Sequence, residues 1–200
     1  MRVVLATHNA HKAREFQTIL ALGVSELEIV TYDGPEPVED GATFAENALI
    51  KARAAAAHTG LPALADDSGI CVDIMGGAPG IFSARWSGRH GDDRANLQLL
   101  LDQLADVPDA NRGAHFSCTI ALVSGSGTDA REATVEGLWP GRLAREARGA
   151  NGFGYDPIFL PDGEGGASAA ELAPERKSAV SHRARAFEAI TPLLAALPRS

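Results

Sequence analysis

The sequence predicts an α/β fold. Three observations carry that prediction. An apolar strand-like run, Arg2 to Thr7, feeds a stretch in which Ala13, Phe16, Ile19 and Leu20 recur at helical spacing. A second pair follows, with a strand over Leu27 to Tyr32 and a helix from Thr43 to about Thr59. Residues 114–123 then alternate, with Ala114, Phe116, Cys118, Ile120 and Leu122 on one face and His115, Ser117 and Thr119 on the other.

Length and charge bound the rest. The chain has 200 residues, which suits one domain over 1–200 with room for two lobes. Its formal net charge of −8 argues against a sequence-independent nucleic-acid binder, which needs a surplus of Lys and Arg. A few basic residues focused in one cleft would still suit a phosphate substrate. Cys71 and Cys118 lie in apolar runs without CxxC spacing, which fits buried free thiols. No run approaches the roughly 18 apolar residues of a membrane span, and the apolar run at the N-terminus is too short for a signal-peptide core. The expectation is a cytoplasmic protein without a membrane partner.

Taken in order, Asn9 suits an N-cap and Gly23 a helix stop. Thr7, Asn9 and Lys12 then sit where free N–H groups and the helix dipole favour an anion, although a plain capped helix with a solvated lysine is the commoner reading of such a match. Asp33 to Gly41 is an acidic, proline-rich loop whose Glu39 is a candidate metal ligand or a solvated side chain. Thr43-Phe44-Ala45-Glu46 has capping-box spacing, and Gly60 closes the helix it opens. Asn47 and Lys51, four apart, share a face of that helix. Lys51 either lies on the surface or reaches the same cleft as Lys12.

The centre of the chain is Leu61 to Trp86. It reads as a short strand, Pro62 to Ala65, ending in Asp66 and Asp67, then a Ser68-Gly69 turn. A second apolar run, Ile70 to Met75, and a glycine-rich bend at 76–80 follow. Two adjacent carboxylates cannot both enter one apolar core, so at least one faces water, a metal or a cation. An ordinary Asp-Ser-Gly turn accounts for the same residues. Asp92 and Asp93 cap a helix with Leu97, Leu100, Leu101 and Leu104 as its core stripe. The alternating strand at 114–123 and a second strand, Glu132 to Leu138, form a hairpin, with His115 facing solvent. Arg142, Arg145 and Arg148 read as a solvated basic face. In Asn151 to Pro157, aromatics interleave with glycines, which suits either a base-stacking platform or a turn with a buried Phe. The last helix carries Ala186, Phe187, Ile190 and Leu194, with Ser181 at its cap and His182 and Arg183 in its first turn. Positive charge there opposes the helix dipole, and a broken local rule points to a site.

Six motifs occur in order: T-x-N-x-x-K from Thr7, T-F-x-E-N-A-x-x-K-A from Thr43, A-D-D-S-G from Ala65, G-G-A-P-G-I-x-S-A-R from Gly76, G-F-G-Y-D-P from Gly152, and K-S-x-x-S-H-R from Lys177. Together they cover nearly the whole chain and resemble the ITP/XTP pyrophosphatase family. The resemblance implies an elongated α/β fold with a long mixed sheet flanked by helices, two lobes around a cleft, a homodimer and Mg²⁺. It implies hydrolysis of ITP, dITP and XTP to monophosphate and pyrophosphate. By motif, Asp67 is the catalytic carboxylate, linked to a metal that Glu39 and Asp66 also approach. Thr7, Asn9, Lys12, Lys51, Ser68 and Lys177 hold the phosphates, with His8, Ala10 and His11 in the same substrate-binding stretch. Phe153, Gly154, Tyr155, Asp156, His182 and Arg183 hold the base. The chemistry agrees: water attack on an α-phosphorus needs a base, a hard cation on oxygen ligands, and cations around the departing pyrophosphate. Two alternatives are a pyrophosphatase for other modified nucleotides and a nucleotide-binding regulator without turnover.

Overall fold

A computed structural model describes residues 2–7, 27–125 and 130–197. The strands are β1 (Arg2–Leu5), β2 (Glu28–Thr31), β3 (Ala63–Val72), β4 (Gly113–Ser124), β5 (Arg131–Leu143) and β6 (Phe159–Pro161). They form one sheet in the order β2-β1-β3-β4-β5-β6. β1 runs parallel to β2 and to β3, whereas β5 and β6 are antiparallel, so the sheet is mixed. The described helices are α1 (Phe44–Thr59), α2 (Asp93–Gln103), α3 (Pro174–Val180) and α4 (His182–Ala195). The helix expected after Thr7 lies outside the described residues.

The chain divides into two compact units. The first comprises Met1–Asp67, Cys118–Gly137 and Arg183–Ser200. Its inner strands, β1, β3 and β4, are buried on both faces, and the two-residue period sorts their side chains. Val3, Leu5, Leu64, Cys118, Ile120 and Leu122 pack on Ala186, Phe187, Ile190 and Leu194 of α4. Val4, Ala63, Ala65, Ala121 and Val123 pack instead on Ala48, Ala52, Ala55 and Ala56 of α1. An alanine stripe brings α1 close to the sheet. Thr43 caps this helix as its spacing predicts: its Oγ1 accepts from Glu46 N at 3.1 Å, while Glu46 Oε2 reaches back past the cap to accept from Ala42 N at 2.6 Å. Gly60, left-handed at φ 68°, closes it.

The second unit comprises Ser68–Ser117 and Leu138–His182. Its core joins Ile70, Val72, Leu100, Leu104, Phe116, Trp139, Ile158 and Phe159. Arg112, 2% exposed, is held there as a staple, donating to the carbonyls of Leu104, Leu143 and Ala144. Cys71 and Cys118 are buried free thiols, as their apolar settings suggest.

Three sequence expectations change. β3 is continuous through Asp66-Asp67-Ser68-Gly69, with no turn. Gly69 serves close packing: a Cβ there would run into the Gly80 carbonyl and Ser83 Oγ. The run beyond it stops at Val72, and Asp73–Met75 forms a 3₁₀ turn. β4 is buried along both faces, so Ser117 and Thr119 are interior, while His115 stays partly exposed 3.8 Å from Asp73. β5 extends past Leu138 to Leu143, taking in Arg142.

Candidate functional site

In the first unit, the strand period separates the adjacent carboxylates. Asp67 shares the face of Ala63 and Ala65, toward α1, and Asp66 shares the face of Leu64, toward α4. Both are buried, at 7% and 1% exposure. Asp67 Oδ1 lies 3.4 Å from Lys51 Nζ, and its Oδ2 accepts from Asn47 Nδ2 at 3.2 Å. Lys51 Nζ also lies 2.9 Å from Glu39 Oε1, so one ammonium bridges two carboxylates. Asp66 Oδ2 forms an ion pair with Arg183 Nε at 3.9 Å. The four-residue spacing of Asn47 and Lys51 on α1 aims both at β3.

Burial opposes the charge on Lys51, but the fields of Asp67, Asp66 and Glu39, with the hydrogen bond to Glu39, outweigh it. The net effect holds the lysine above its usual range, fully protonated at neutral pH. Lys51 is therefore a buried cation. Glu39 takes part in this network rather than standing solvated in its loop.

In the second unit, the 151–157 segment is a loop whose Gly152 (φ 76°) and Gly154 (φ 61°) adopt backbone that other residues rarely take. A Cβ on Gly152 would also meet the Asp156 carboxylate. Asp156 is buried, and its Oδ2 accepts from Phe153 N at 2.8 Å and from Lys177 Nζ at 2.7 Å. Lys177 Nζ stands 5.1 Å from the centre of the Phe153 ring, a cation–π distance. Tyr155 donates its hydroxyl to Ser83 O at 2.9 Å. Burial, with the Asp93 charge, pushes its phenol up. Gly154 N donates to Asp93 Oδ2 at 2.9 Å. His182, 2% exposed, stacks on Phe116 at 4.7 Å with 11° between the rings, and on Trp139 at 6.3 Å.

The sequence-predicted residues thus gather in two sets. Glu39, Lys51, Asp66, Asp67 and Arg183 belong to the first unit. Phe153, Gly154, Tyr155, Asp156, Lys177 and His182 belong to the second. Ser68 follows Asp67 in β3, and Thr7 lies just beyond β1, donating its N–H to Leu5 O. His8, Asn9, Ala10, His11 and Lys12 lie outside the described residues. Asn47 is the residue that motif reading left out of the site. Its shared face with Lys51 was the signal that could have found it.

The Ham1 family model matches residues 3–193. The chain belongs to the Ham1 family. This bears out the resemblance carried by the six motifs. A relative from Leifsonia xyli subsp. xyli, named dITP/XTP pyrophosphatase, is 70% identical over 199 residues, covering 100% of this chain and 98% of its own. A Streptomyces avermitilis protein of the same name is 55% identical over 197 residues, covering 96% of each. Among solved structures, a nucleoside-triphosphatase / dITP/XTP pyrophosphatase from Mycobacterium abscessus aligns at TM-score 0.77 and 52% identity. That alignment covers 97% of this chain and 100% of the other. A HAM1 protein from Coxiella burnetii aligns at TM-score 0.87 and 42% identity, covering 98% and 100%. The α/β fold is therefore the Ham1 fold. No helix among the described residues is long and apolar enough to cross a membrane.

Proposed function

We propose that this Ham1-family chain is a nucleoside-triphosphate pyrophosphatase that hydrolyses ITP, dITP and XTP to the monophosphate and pyrophosphate. The relatives' names support the substrate class. The observation that carries the chemistry is a buried carboxylate, Asp67, held between a neutral amide and an ammonium.

Asp67 would accept a proton from a water molecule as that oxygen bonds to the α-phosphorus. The bond from the α-phosphorus to the bridging oxygen then breaks, and pyrophosphate leaves with the electron pair. Lys51 and Lys177, with Lys12 by motif, would stabilise the charge that accumulates on the phosphates. Phe153 would stack on the base, opposite the face that Lys177 covers. Selectivity for a 6-oxo purine follows if the site donates hydrogen bonds to O6, because adenine presents a donor there. His182 and Arg183 are the motif residues assigned to that task.

Mg²⁺ belongs to the same proposal. Among the described residues, no three His, Cys, Asp or Glu side chains gather closely enough to hold a metal alone. Mg²⁺ is commonly bound by one or two carboxylates and completed by phosphates and water. Glu39 and Asp67 already converge on one cation, Lys51 Nζ, so hard oxygen donors face a cationic position. We assign the ion to these two, with Asp66 as the neighbouring carboxylate carried by motif. When bound, it would polarise the α-phosphoryl group and neutralise phosphate charge. A cytoplasmic homodimer completes the proposal, and its mass in solution tests the dimer.

The deciding experiment is pyrophosphate release from ITP, XTP, GTP and ATP, with Mg²⁺ and with EDTA. Metal-dependent turnover of ITP and XTP, with monophosphate as co-product and little from GTP or ATP, is expected. Orthophosphate as product would move the attack to the γ-phosphorus and overturn the mechanism. Tight binding without turnover would make the chain a regulator. Preference for another modified base would keep the chemistry and change the substrate.

A further inference from the structure

We propose that Asn47 is a positioning residue that acts through Asp67, an inference that rests on the function proposed above. Asn47 is fully buried on α1, where a polar side chain needs partners on both ends of its amide. It has them. Oδ1 accepts from Gly41 N at 2.9 Å, and Nδ2 donates to Asp67 Oδ2 at 3.2 Å. The first bond fixes which way the amide faces: with Oδ1 committed to a backbone donor, Nδ2 is the end presented to the carboxylate.

Gly41 makes this possible. A Cβ there would stand 2.7 Å from Asn47 Oδ1 and 2.7 Å from Glu46 Cβ, so the loop approaches α1 only as glycine. Gly41 lies two residues after Glu39, which reaches the same Lys51 as Asp67. One amide therefore ties the Glu39 loop to the Asp67 side chain. It also divides the carboxylate's labour: Oδ2 rests on a neutral donor, while Oδ1 meets the ammonium. A carboxylate with both oxygens anchored loses rotational freedom about its terminal bond, which is the condition for holding an attacking water in one orientation. Asp in place of Asn47 would keep the acceptor for Gly41 N but present no donor to Asp67.

The test is a double-variant cycle read with ITP and Mg²⁺. Asn47→Ala and Asn47→Asp are each expected to lower kcat by roughly 10–100-fold with KM changed less than about threefold. Ile190→Val, a buried change on α4, calibrates what lost packing alone does to kcat. If Asn47 acts through Asp67, adding Asn47→Ala to Asp67→Asn slows the enzyme little further. Multiplying effects in the double variant, or a kcat loss that only tracks thermal stability, would overturn the proposal.

A second measurement does not depend on turnover. The Asn47 side-chain amide resonance, assigned by its absence in Asn47→Ala, is expected to move in Asp67→Ala. An unmoved resonance would sink the proposal even in a chain that turns over nothing. Wild-type inactivity together with a moved resonance would instead remove the enzymatic reading and leave the bond standing.

Discussion

Each unit buries a lysine against a carboxylate, yet the two lysines keep different company. Lys51 meets Glu39 and Asp67 and feels Asp66, whereas Lys177 meets Asp156 and the face of Phe153. Among the contacts described, the first set brings Glu39, Asp66 and Asp67 to Lys51 and Arg183, and the second pairs Asp156 with Lys177 beside the Phe153 ring. Carboxylate oxygens are donors for a hard cation, while an aromatic face offers a surface for a flat partner. On the function proposed above, the first set would hold the reacting carboxylate, Asp67, and the second the stacking ring, Phe153.

The largest expected effect tests the first set. Asp67→Asn preserves shape and a partner for Lys51 in Glu39, but removes the proton acceptor. Its kcat should fall by roughly 10²–10⁴ with nucleotide binding retained. Near-normal kcat would remove Asp67 from the chemistry and erase the distinction between the two sets.

Lys51→Met asks whether the buried ammonium or the carboxylates organise that set. Removing one partner of a buried ion pair typically costs about 3–5 kcal/mol, because the other charge stays buried and unpaired. Denaturant unfolding at neutral pH measures it, and a loss below about 1 kcal/mol would mean that water already reaches the cluster. The alkaline limb sharpens the test. A lysine whose folded pKa is raised contributes fully below its ordinary value of 10.5, and that contribution disappears as pH rises through the folded value. The wild type should therefore lose a stability increment above about pH 10.5 that Lys51→Met lacks.

How much of this was legible depends on which partners are local. The cap at Thr43 and the stop at Gly60 involve neighbours in sequence, and α1 begins and ends where they predict. The α4 stripe is equally local. β3 misleads because Asp-Asp-Ser-Gly has turn composition. Only packing on both sides, with Gly69 against Gly80 and Ser83, keeps it extended. Asp67 could be placed in the site by motif, but its amide partner lies 20 residues away and its facing direction follows from a register set by the sheet. For Lys177 the motif suggested phosphate, whereas its described partners are Asp156 and the Phe153 ring. That pairing depends on loop backbone at Gly152 and Gly154 that no periodicity reports.

Phe153→Ala examines the second set. Loss of a stacking ring should weaken nucleotide binding by roughly 1–3 kcal/mol while kcat at saturation changes less. Calorimetric titration with a non-hydrolysable ITP analogue checks it. Unchanged affinity would show that the ring only supports Lys177.

The smallest effect is expected where charge is exposed. Arg53, on α1, forms a two-pronged pair with Glu132, at 2.7 and 2.6 Å, shorter than the Asn47 and Lys51 contacts to Asp67. Both side chains remain well exposed, at 52% and 34%. Distance alone would rank this pair above Lys51 and Asp67. Water reverses the ranking, because it screens the attraction and solvates whichever charge is left behind. Glu132→Gln should therefore cost no more than about 1 kcal/mol in denaturant unfolding, shrinking further in high salt. A loss comparable to that of Lys51→Met would mean that geometry, rather than burial, sets the strength of ion pairs in this unit. The contrast between the two buried lysines would then need a different physical basis.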